Sequence, residues 1–577
     1  MNRFLTWVER TGNKLPHPFW LFIYLAGFIL LASLIGGLFN VSVTHPVTEE
    51  TIEAQNLISQ YGLQRFVLEM VDTFANFPPL GLMLVMLMGV SLAVHSGLLE
   101  TLLGRLTKVP DFMVYPVIVV TGIMGNLASD AGIVVVPPLA AVAFKKIGKS
   151  PLAGVILAYA ACTAGFTATL IPRGTDVLLA GFTNSALEDP NMHVGAAANL
   201  YFMIASVFLL AIVMSWVGKK FTLPLCEGTE PITIETKESA EDLAKKKKGL
   251  RWSLLAMGIY TVVMLMTLIP ENGLLRYDIN KIETIVLNKN TEDVKTQRLK
   301  GRTVTKTVDG ERQYAVKFKD QKIVLDDVDK STWTDGATAH IYLPKGETKI
   351  NKDQVFKINL MPSAVRGPFF RGMVAILFFF FAIPGTIYGM FVGRIKTLGD
   401  IPGMMTKSVK GIAGMIVLVL VISHFVVFFQ WSNLDRIVAI TGANILNQMK
   451  FQGPLLMVFT TLIVMILNIF MGSSSAKWAM LAPIIVPMFL YLENPISPAV
   501  SQLVYRIGDS ITNGISPLYP YFPLALGWLR EYRKDAGVGT LIRLLLPYAF
   551  FTGLAWIALL VIWYFLGIPV GPGQPIH

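Results

Sequence analysis

The sequence predicts an all-α polytopic membrane protein with a small β-rich insertion, and three observations lead there. Of 577 residues, 53% are hydrophobic and only 15% charged, and the mean hydropathy is +0.56, well away from soluble averages. The apolar runs are continuous and about 20 residues long, as a helix needs to cross roughly 30 Å of hydrocarbon, whereas barrel strands are short and alternate. The basic residues behind the formal charge of +11 cluster in short loops beside those runs, which sets membrane orientation and argues against a nucleic-acid partner. Cys162 and Cys226 offer no metal spacing and no disulfide framework.

The elements follow in order. Arg3, Arg10 and Lys14 precede a first span at 18–38, longer than a signal-peptide core, so the N-terminus is expected in the cytoplasm. The next loop holds Glu49, Glu50, Glu53 and Glu69 and is expected outside. A second span at 79–98 returns to Arg105 and Lys108, and the segment 112–144 is basic on both flanks. Its midpoint, GNLASDAG at 125–132, leaves arms of roughly 13 residues, or about 20 Å at helical rise. That length predicts a re-entrant hairpin whose polar tip faces protein or water.

A third span from 151 runs into GFTATLIPRGTD, where Pro172, Arg173 and Gly174 interrupt the pattern and predict a broken helix. The fourth span is 200–217. The run Lys245–Lys248, a candidate surface anchor, leads into the fifth at 252–269. Residues 270–368 alternate at strand period in QYAVKFKDQKIVL, AHIYLPKG and QVFKINL, with turn signals in VDGER, TDGAT and PKGET. They predict a soluble β-rich domain outside the membrane.

The sixth and seventh spans are 369–391 and 412–429. A second hairpin candidate at 453–492 turns at MGSSSAKW, where about 40 residues are also enough for two full spans; a second broken helix covers 497–528, and the last span, 545–566, leaves the C-terminus outside. Two transmembrane halves, 1–269 and 369–577, thus hold nine spans and two hairpins opening to opposite faces.

GNLASDAG, VVVPPLAAV, KSPLAG and AGFTATLIP in the first half match GSSSAKWA, APIIVPMFL, ISPAVS and IGDSITNGISP in the second, in the same order. Opposed halves with discontinuous helices point to an inverted-repeat secondary transporter with its site near the midplane. Broken helices present N–H groups to anions and freed carbonyls to cations.

Polar groups in apolar sequence are costly, so those near the breaks are the candidates. Arg506 and Asp509 lie on one helical face, either as a neutralising pair or as contacts for substrate and ion. In a third option, Arg506 receives a substrate carboxylate in exchange for Asp509. Asp176 either carries a proton or caps a half-helix. Trp478 stacks on a substrate ring or fills space, and the sequence leans to filling. Asn126, Ser129, Asp130, Ser473, Ser474 and Lys477 are expected at the hairpin tips, with Asp130 and Lys477 read as wetted residues rather than ligands. Ser474 and Lys477 also make an S-x-x-K spacing, the one hint of a serine hydrolase, weak without partner motifs. A channel is a third class, separable by saturation and counterflow.

ERTGNKLPHPFWLF, GNLASDAGIVVVPPLAA, QWSNL, SSSAKWAMLAPIIVPM and YRIGDSITNGISPLYPYFPL resemble the p-aminobenzoyl-glutamate transporter (AbgT) family over nearly the whole chain except the insertion. The resemblance implies a dimeric bacterial inner-membrane transporter without cofactor. It also implies a substrate that is p-aminobenzoyl-glutamate or a sulfonamide antimetabolite, coupled to H⁺ or Na⁺. It further implies Asp176, Ser475, Trp478, Pro498, Arg506, Asp509 and Pro517 in the transport path, and Asn468, Asp509 and Asn513 at a candidate sodium site. The chain departs from the family at Thr167-Ala168-Thr169, where Ser-Ala-Asn is frequent, and at Pro172-Arg173. Any peculiarity of substrate choice is therefore expected around 169–176.

Overall fold

The computed structural model describes residues 18–46, 49–105, 110–128, 130–187, 189, 192–227, 240–270, 272–278, 282–286, 296–308, 311–318, 321–325, 338–344, 355, 357–360, 367–411 and 413–576. The chain divides into two compact units, 1–257 with 377–577, and 258–376.

Helix α1 (Pro18–Leu38) is followed by two three-residue strands, β1 (Ser42–Thr44) and β2 (Thr51–Glu53), paired antiparallel. The expected acidic loop is only partly a loop, because residues Gln60–Ala75 form helix α2, capped by the Ser59 hydroxyl, with Glu69 paired to Arg65 at 3.0 Å. Asn76 and Phe77 end it before Pro78, which opens α3 (Pro78–His95). A short α4 (Leu98–Arg105) leads to α5 (Val114–Gly125) and α6 (Asp130–Lys146), separated by a 3₁₀ turn at Asn126–Ala128. Glycine is required there: a Cβ on Gly132 would lie 1.9 Å from the Gly125 carbonyl oxygen.

Helix α7 (Pro151–Ala164) stops at Gly165, and α8 (Gly174–Ser185) starts after nine non-helical residues. Helix α9 (Leu200–Val217) continues through a π-type turn to Cys226, and α10 (Ala240–Leu268) carries the lysine run within its first turns.

Between α10 and the next long helix lies a six-stranded antiparallel sheet in the order β3-β8-β7-β4-β5-β6. Its strands are β3 (Glu283–Val286), β4 (Thr296–Val308), β5 (Glu311–Phe318), β6 (Gln321–Leu325), β7 (Thr338–Pro344) and β8 (Lys357–Leu360). Alternation puts Ile341 and Leu343 of β7, Ile358 and Leu360 of β8, and Ile323 and Leu325 of β6 into one apolar core. Val308 pairs with Glu311, so VDGER closes a two-residue hairpin. The turn signal TDGAT lies, apart from Thr338, outside the described residues, and so does PKGET apart from Pro344.

Helices α11 (Met373–Val392), α12 (Asp400–Gly411), α13 (Ala413–Trp431) and α14 (Leu434–Gln448) follow. Next come α15 (Gly453–Phe470) and α16 (Ser474–Leu490), then α17 (Pro498–Ile511), a 3₁₀ turn at Asn513–Ile515, α18 (Phe522–Tyr532) and α19 (Val538–Leu566). Among the described residues, eight helical stretches are long and apolar enough to cross a bilayer. They include α15, one arm of the second expected hairpin, and exclude both broken helices, whose pieces are short.

The two halves repeat in detail. α6 and α16 are each 17 residues with two internal prolines, and α7 and α17 are each 14 residues, opening on a proline after a serine. Every residue of α7, and all of α17 after Pro498, is buried, and such all-round burial marks a central helix.

Candidate transport site

The site is built on α17, which carries two polar stripes. Gln502, Arg506 and Ser510 recur every four residues along one, and Tyr505 and Asp509, with Thr512 at the C-cap three residues on, make the other. The first stripe meets the first half of the chain and the second meets the α15–α16 hairpin.

On the first stripe, the Arg506 guanidinium donates to the Asp176 carboxylate, to the Thr167 carbonyl at 2.8 Å and to Asn199 Oδ1 at 3.2 Å. Ser510 Oγ lies 2.6 Å from Thr167 Oγ1 and accepts from the Thr167 N–H at 3.2 Å. Gln502 donates to Asn199 Oδ1 at 3.0 Å and accepts from Thr183 Oγ1 at 2.7 Å. Asp176 is held from behind as well, because at the start of α8 its Oδ2 accepts the Arg173 N–H at 2.8 Å and lies 4.0 Å from the buried Arg173 Nε. The half-helix N-terminus and a buried guanidinium thus hold one carboxylate between them.

On the second stripe, Asp509 Oδ1 accepts from Lys477 Nζ at 2.7 Å and from the Tyr505 hydroxyl at 3.0 Å. Lys477 also donates to Asn468 Oδ1, and Asn468 Nδ2 donates to the Asp509 carbonyl at 2.7 Å and to Thr512 Oγ1 and Asn513 Oδ1 at 3.0 Å each. Asp509 Oδ2 is buried with no hydrogen-bond partner among the described residues, and so is Arg506 Nε.

Several expectations change on this geometry. Arg506 and Asp509 do not pair with each other: they stand on adjacent stripes, and each takes a partner from a different segment. The carboxylate that Arg506 holds is Asp176 and not Asp509. Lys477 is not a wetted tip residue, since it is fully buried in the first turn of α16 and its ammonium lies on Asn468 and Asp509. Its partners also leave no catalytic dyad with Ser474, whose hydroxyl sits 3.4 Å from the Tyr505 oxygen. Asp176 does cap its half-helix, as one reading held, while also forming an ion pair.

Trp478 is fully buried, stacked on Tyr505 at 4.6 Å between ring centroids, with Nε1 donating to Thr183 Oγ1 at 2.9 Å. It fills space between α16, α17 and α8. Ser473 is the N-cap of α16, and Ser475, half-buried, lies 3.4 Å from it. Asn126 donates to the Cys162 carbonyl at 3.0 Å, tying the first hairpin tip to the end of α7. Ser129 and the Asp130 side chain lie outside the described residues. Pro498 opens α17, about 16 Å along the helix axis from Asp509 at helical rise. Pro517 follows the 3₁₀ turn in the second break.

Asn468, Asp509 and Asn513 do converge. The cation among them is the chain's own, because the Lys477 ammonium occupies Asn468 Oδ1 and Asp509 Oδ1, and Asn513 Oδ1 is taken by Asn468. As placed, these residues offer a sodium ion one unpaired oxygen, Asp509 Oδ2, and do not form a sodium cage.

Reasoning from sequence missed Asn199, Gln502, Thr167, Thr183 and Tyr505. The four-residue recurrence of Gln502, Arg506 and Ser510 was the available signal for the first stripe. Asn199, just before α9, had none.

A multi-span helical protein whose discontinuous helices bury Arg173, Arg506 and Lys477 against two carboxylates has the architecture of a membrane transporter. Comparison with known proteins gives the family. The model of the AbgT putative transporter family matches residues 3–287 and 350–577, and the chain belongs to that family. It is 31% identical over 574 residues to the p-aminobenzoyl-glutamate transport protein of Escherichia coli K12, covering 98% of this chain and 96% of the relative. Two solved structures are similar. The Alcanivorax borkumensis YdaH transporter matches with a TM-score of 0.78 at 29% identity, covering 96% of this chain and all of that one. Neisseria gonorrhoeae MtrF, described as illuminating a class of antimetabolite efflux pumps, matches with a TM-score of 0.77 at 32% identity, covering 99% and 100%. The chain is accordingly a membrane transporter and not an enzyme.

Proposed function

We propose that this chain is an ion-coupled secondary transporter of p-aminobenzoyl-glutamate or of sulfonamide-type antimetabolites, working by alternating access as a homodimer in a bacterial inner membrane. In this reading the broken helices α7–α8 and α17–α18 each count as one span, giving nine. The pairs α5–α6 and α15–α16 are re-entrant hairpins from opposite faces, the N-terminus is cytoplasmic, and the C-terminus and the β-sheet insertion are outside.

The observation that carries the reading is the pair of buried ion pairs on α17. Arg506 is the group that takes a substrate carboxylate, and Asp176 occupies it until the substrate arrives. The exchange keeps the guanidinium compensated, which a buried cation requires. Asp509, with one unpaired oxygen, is the group that answers to the coupled ion. Two chemistries named for relatives, an aromatic amide with a glutamate tail and an antimetabolite, both suit a site that offers a guanidinium for an acid.

The test is uptake of labelled p-aminobenzoyl-glutamate and of labelled sulfamethazine into proteoliposomes with an imposed pH or sodium gradient. Saturable flux that rises severalfold with one gradient is the expected result, with the flux itself lost in Asp176→Asn and its response to the gradient lost in Asp509→Asn. Equal flux with and without either gradient overturns the coupling, and full coupled transport in both variants overturns the site.

A further inference from the structure

Away from this site, α1, α2 and α13 enclose a groove of about 820 Å³, within the size range of small-molecule sites. Its walls are apolar, with Leu30 of α1, Phe66 of α2 and Phe428 of α13 among them, and no acidic or basic residue other than His424 lines it. None of its lining belongs to α7, α8, α16 or α17.

His424 is the exception in that wall. It is 7% exposed and lines the groove. Its Nδ1 lies 2.7 Å from the Leu420 carbonyl oxygen one turn back. A carbonyl brings no proton, so Nδ1 carries the hydrogen and donates it, and in the neutral ring Nε2 is then the acceptor. Nδ1 is turned back on its own helix, so Nε2 is the outer nitrogen, and it is buried with no partner among the described residues. Phe66 and Phe428 hold the ring edge-on at 5.6 and 6.0 Å between centroids. The ring cannot swing to water without breaking both contacts. An unpaired acceptor in an apolar wall costs stability unless a donor reaches it.

We propose that this groove binds a neutral, bilayer-soluble ring compound carrying one hydroxyl or N–H group, which donates to His424 Nε2 while its apolar body lies between α1 and α2. An acyl chain has no donor and leaves Nε2 unpaired, so lipid tails are not the fitted occupant. A charged ligand finds no counter-ion in the lining. Entry is sideways from the bilayer, past Leu63 and Met70 of α2, which are exposed.

The test uses the purified full-length protein in nanodiscs and two tritiated probes that share a ring, 1-naphthol and 1-methoxynaphthalene, with binding read by scintillation proximity. Wild type is expected to hold naphthol roughly tenfold tighter, the effect of one net hydrogen bond. His424→Phe keeps the ring packing and is expected to remove that preference, leaving the methoxy compound's affinity within about twofold. A second variant tests place. A Cβ on Gly27 meets nothing within 4 Å, and Gly27 lines the groove, so Gly27→Leu fills the space without a backbone clash and is expected to abolish binding of both probes. Equal affinity of the two probes for wild type, an unchanged preference in His424→Phe, or undiminished binding in Gly27→Leu would each overturn the proposal. So would efficient disulfide cross-linking of Leu63→Cys between two copies, which would make the groove an interface.

Discussion

The two buried ion pairs on α17 stand one helical row apart and differ in how completely they are satisfied. Asp176 and Arg506 join segments 330 residues apart, and Asp176 has both oxygens occupied, one by Arg506 and one by the Arg173 N–H. Lys477 and Asp509 lie 32 positions apart in the second half, and one Asp509 oxygen has no partner. The first pair is a clasp between the halves and the second is a site with capacity to spare. In the cycle proposed above, the first reopens for substrate and the second answers to the coupled ion.

The largest effect that would sharpen this contrast comes from opening the clasp on one side. Arg506→Leu breaks a buried pair and leaves Asp176 only the longer contact to the Arg173 guanidinium at 4.0 Å, a loss of about 3 kcal/mol. Thermal melting in detergent should fall markedly and transport should vanish. Removing both charges, as in Asp176→Leu with Arg506→Leu, should recover part of the melting temperature without recovering transport, since apolar replacements of a buried pair are often neutral but the buried Arg173 guanidinium loses its carboxylate. A double variant as unstable as the single one would show that the pairing is not what Arg506 contributes.

Asp509→Asn leaves the buried Lys477 ammonium with neutral acceptors only, and should cost about 3 kcal/mol as another broken buried pair. Its signature is functional: flux in proteoliposomes should persist while its response to the driving gradient disappears. Asp176→Asn should behave the other way, with lower melting and lost flux, while Arg506, freed of its competing carboxylate, should hold the substrate at least as tightly. Identical profiles for the two variants would collapse the distinction between clasp and ion site.

A third measurement probes the contact between the two breaks. A Cβ on Gly514 would meet Thr163 Oγ1 at 2.7 Å, and that hydroxyl donates to the Tyr159 carbonyl at 2.8 Å. Gly514→Ala should therefore cost about 1–3 kcal/mol as overpacking, partly relieved by adding Thr163→Ala. No relief in the double variant would place the strain elsewhere in the second break.

Much of this was legible in the sequence because membrane solvent leaves few options. The first span and the fourth lie where apolar length puts them, and the break after Gly125 follows from two glycines that let the arms touch. The Pro-Arg-Gly interruption before Asp176 likewise marks where α8 begins. Lys477 was read wrongly for a physical reason. A lysine beside three serines at a hairpin turn looks wetted, and only the placement of α17 against α16 takes it inside. Asn199 was invisible because one asparagine before a span carries no pattern. In the insertion, β4 was missed because its inward positions include Gly301 and Thr303 while Arg298, Lys300 and Arg302 face out, so its alternation has little apolar amplitude. Helices α2 and α14, at 16 and 15 residues, are too short to announce themselves as spans.

The smallest expected effect tests the one aromatic assigned to the path on resemblance alone. Trp478→Phe keeps the stack on Tyr505 and removes the Nε1 donation to Thr183, whose hydroxyl retains Gln502 and the Leu179 carbonyl. The cost should be about 1 kcal/mol in stability, the net worth of one hydrogen bond. Because the indole is sealed behind α8 and α17, the KM for p-aminobenzoyl-glutamate should stay within about twofold of wild type, as the site loses no contact with substrate. A KM raised tenfold with melting unchanged would mean that the indole reaches the substrate in another state of the cycle. It would also mean that the stripe facing the hairpin binds cargo as well as the ion. That outcome would merge the two sites that the ion pairs here keep apart.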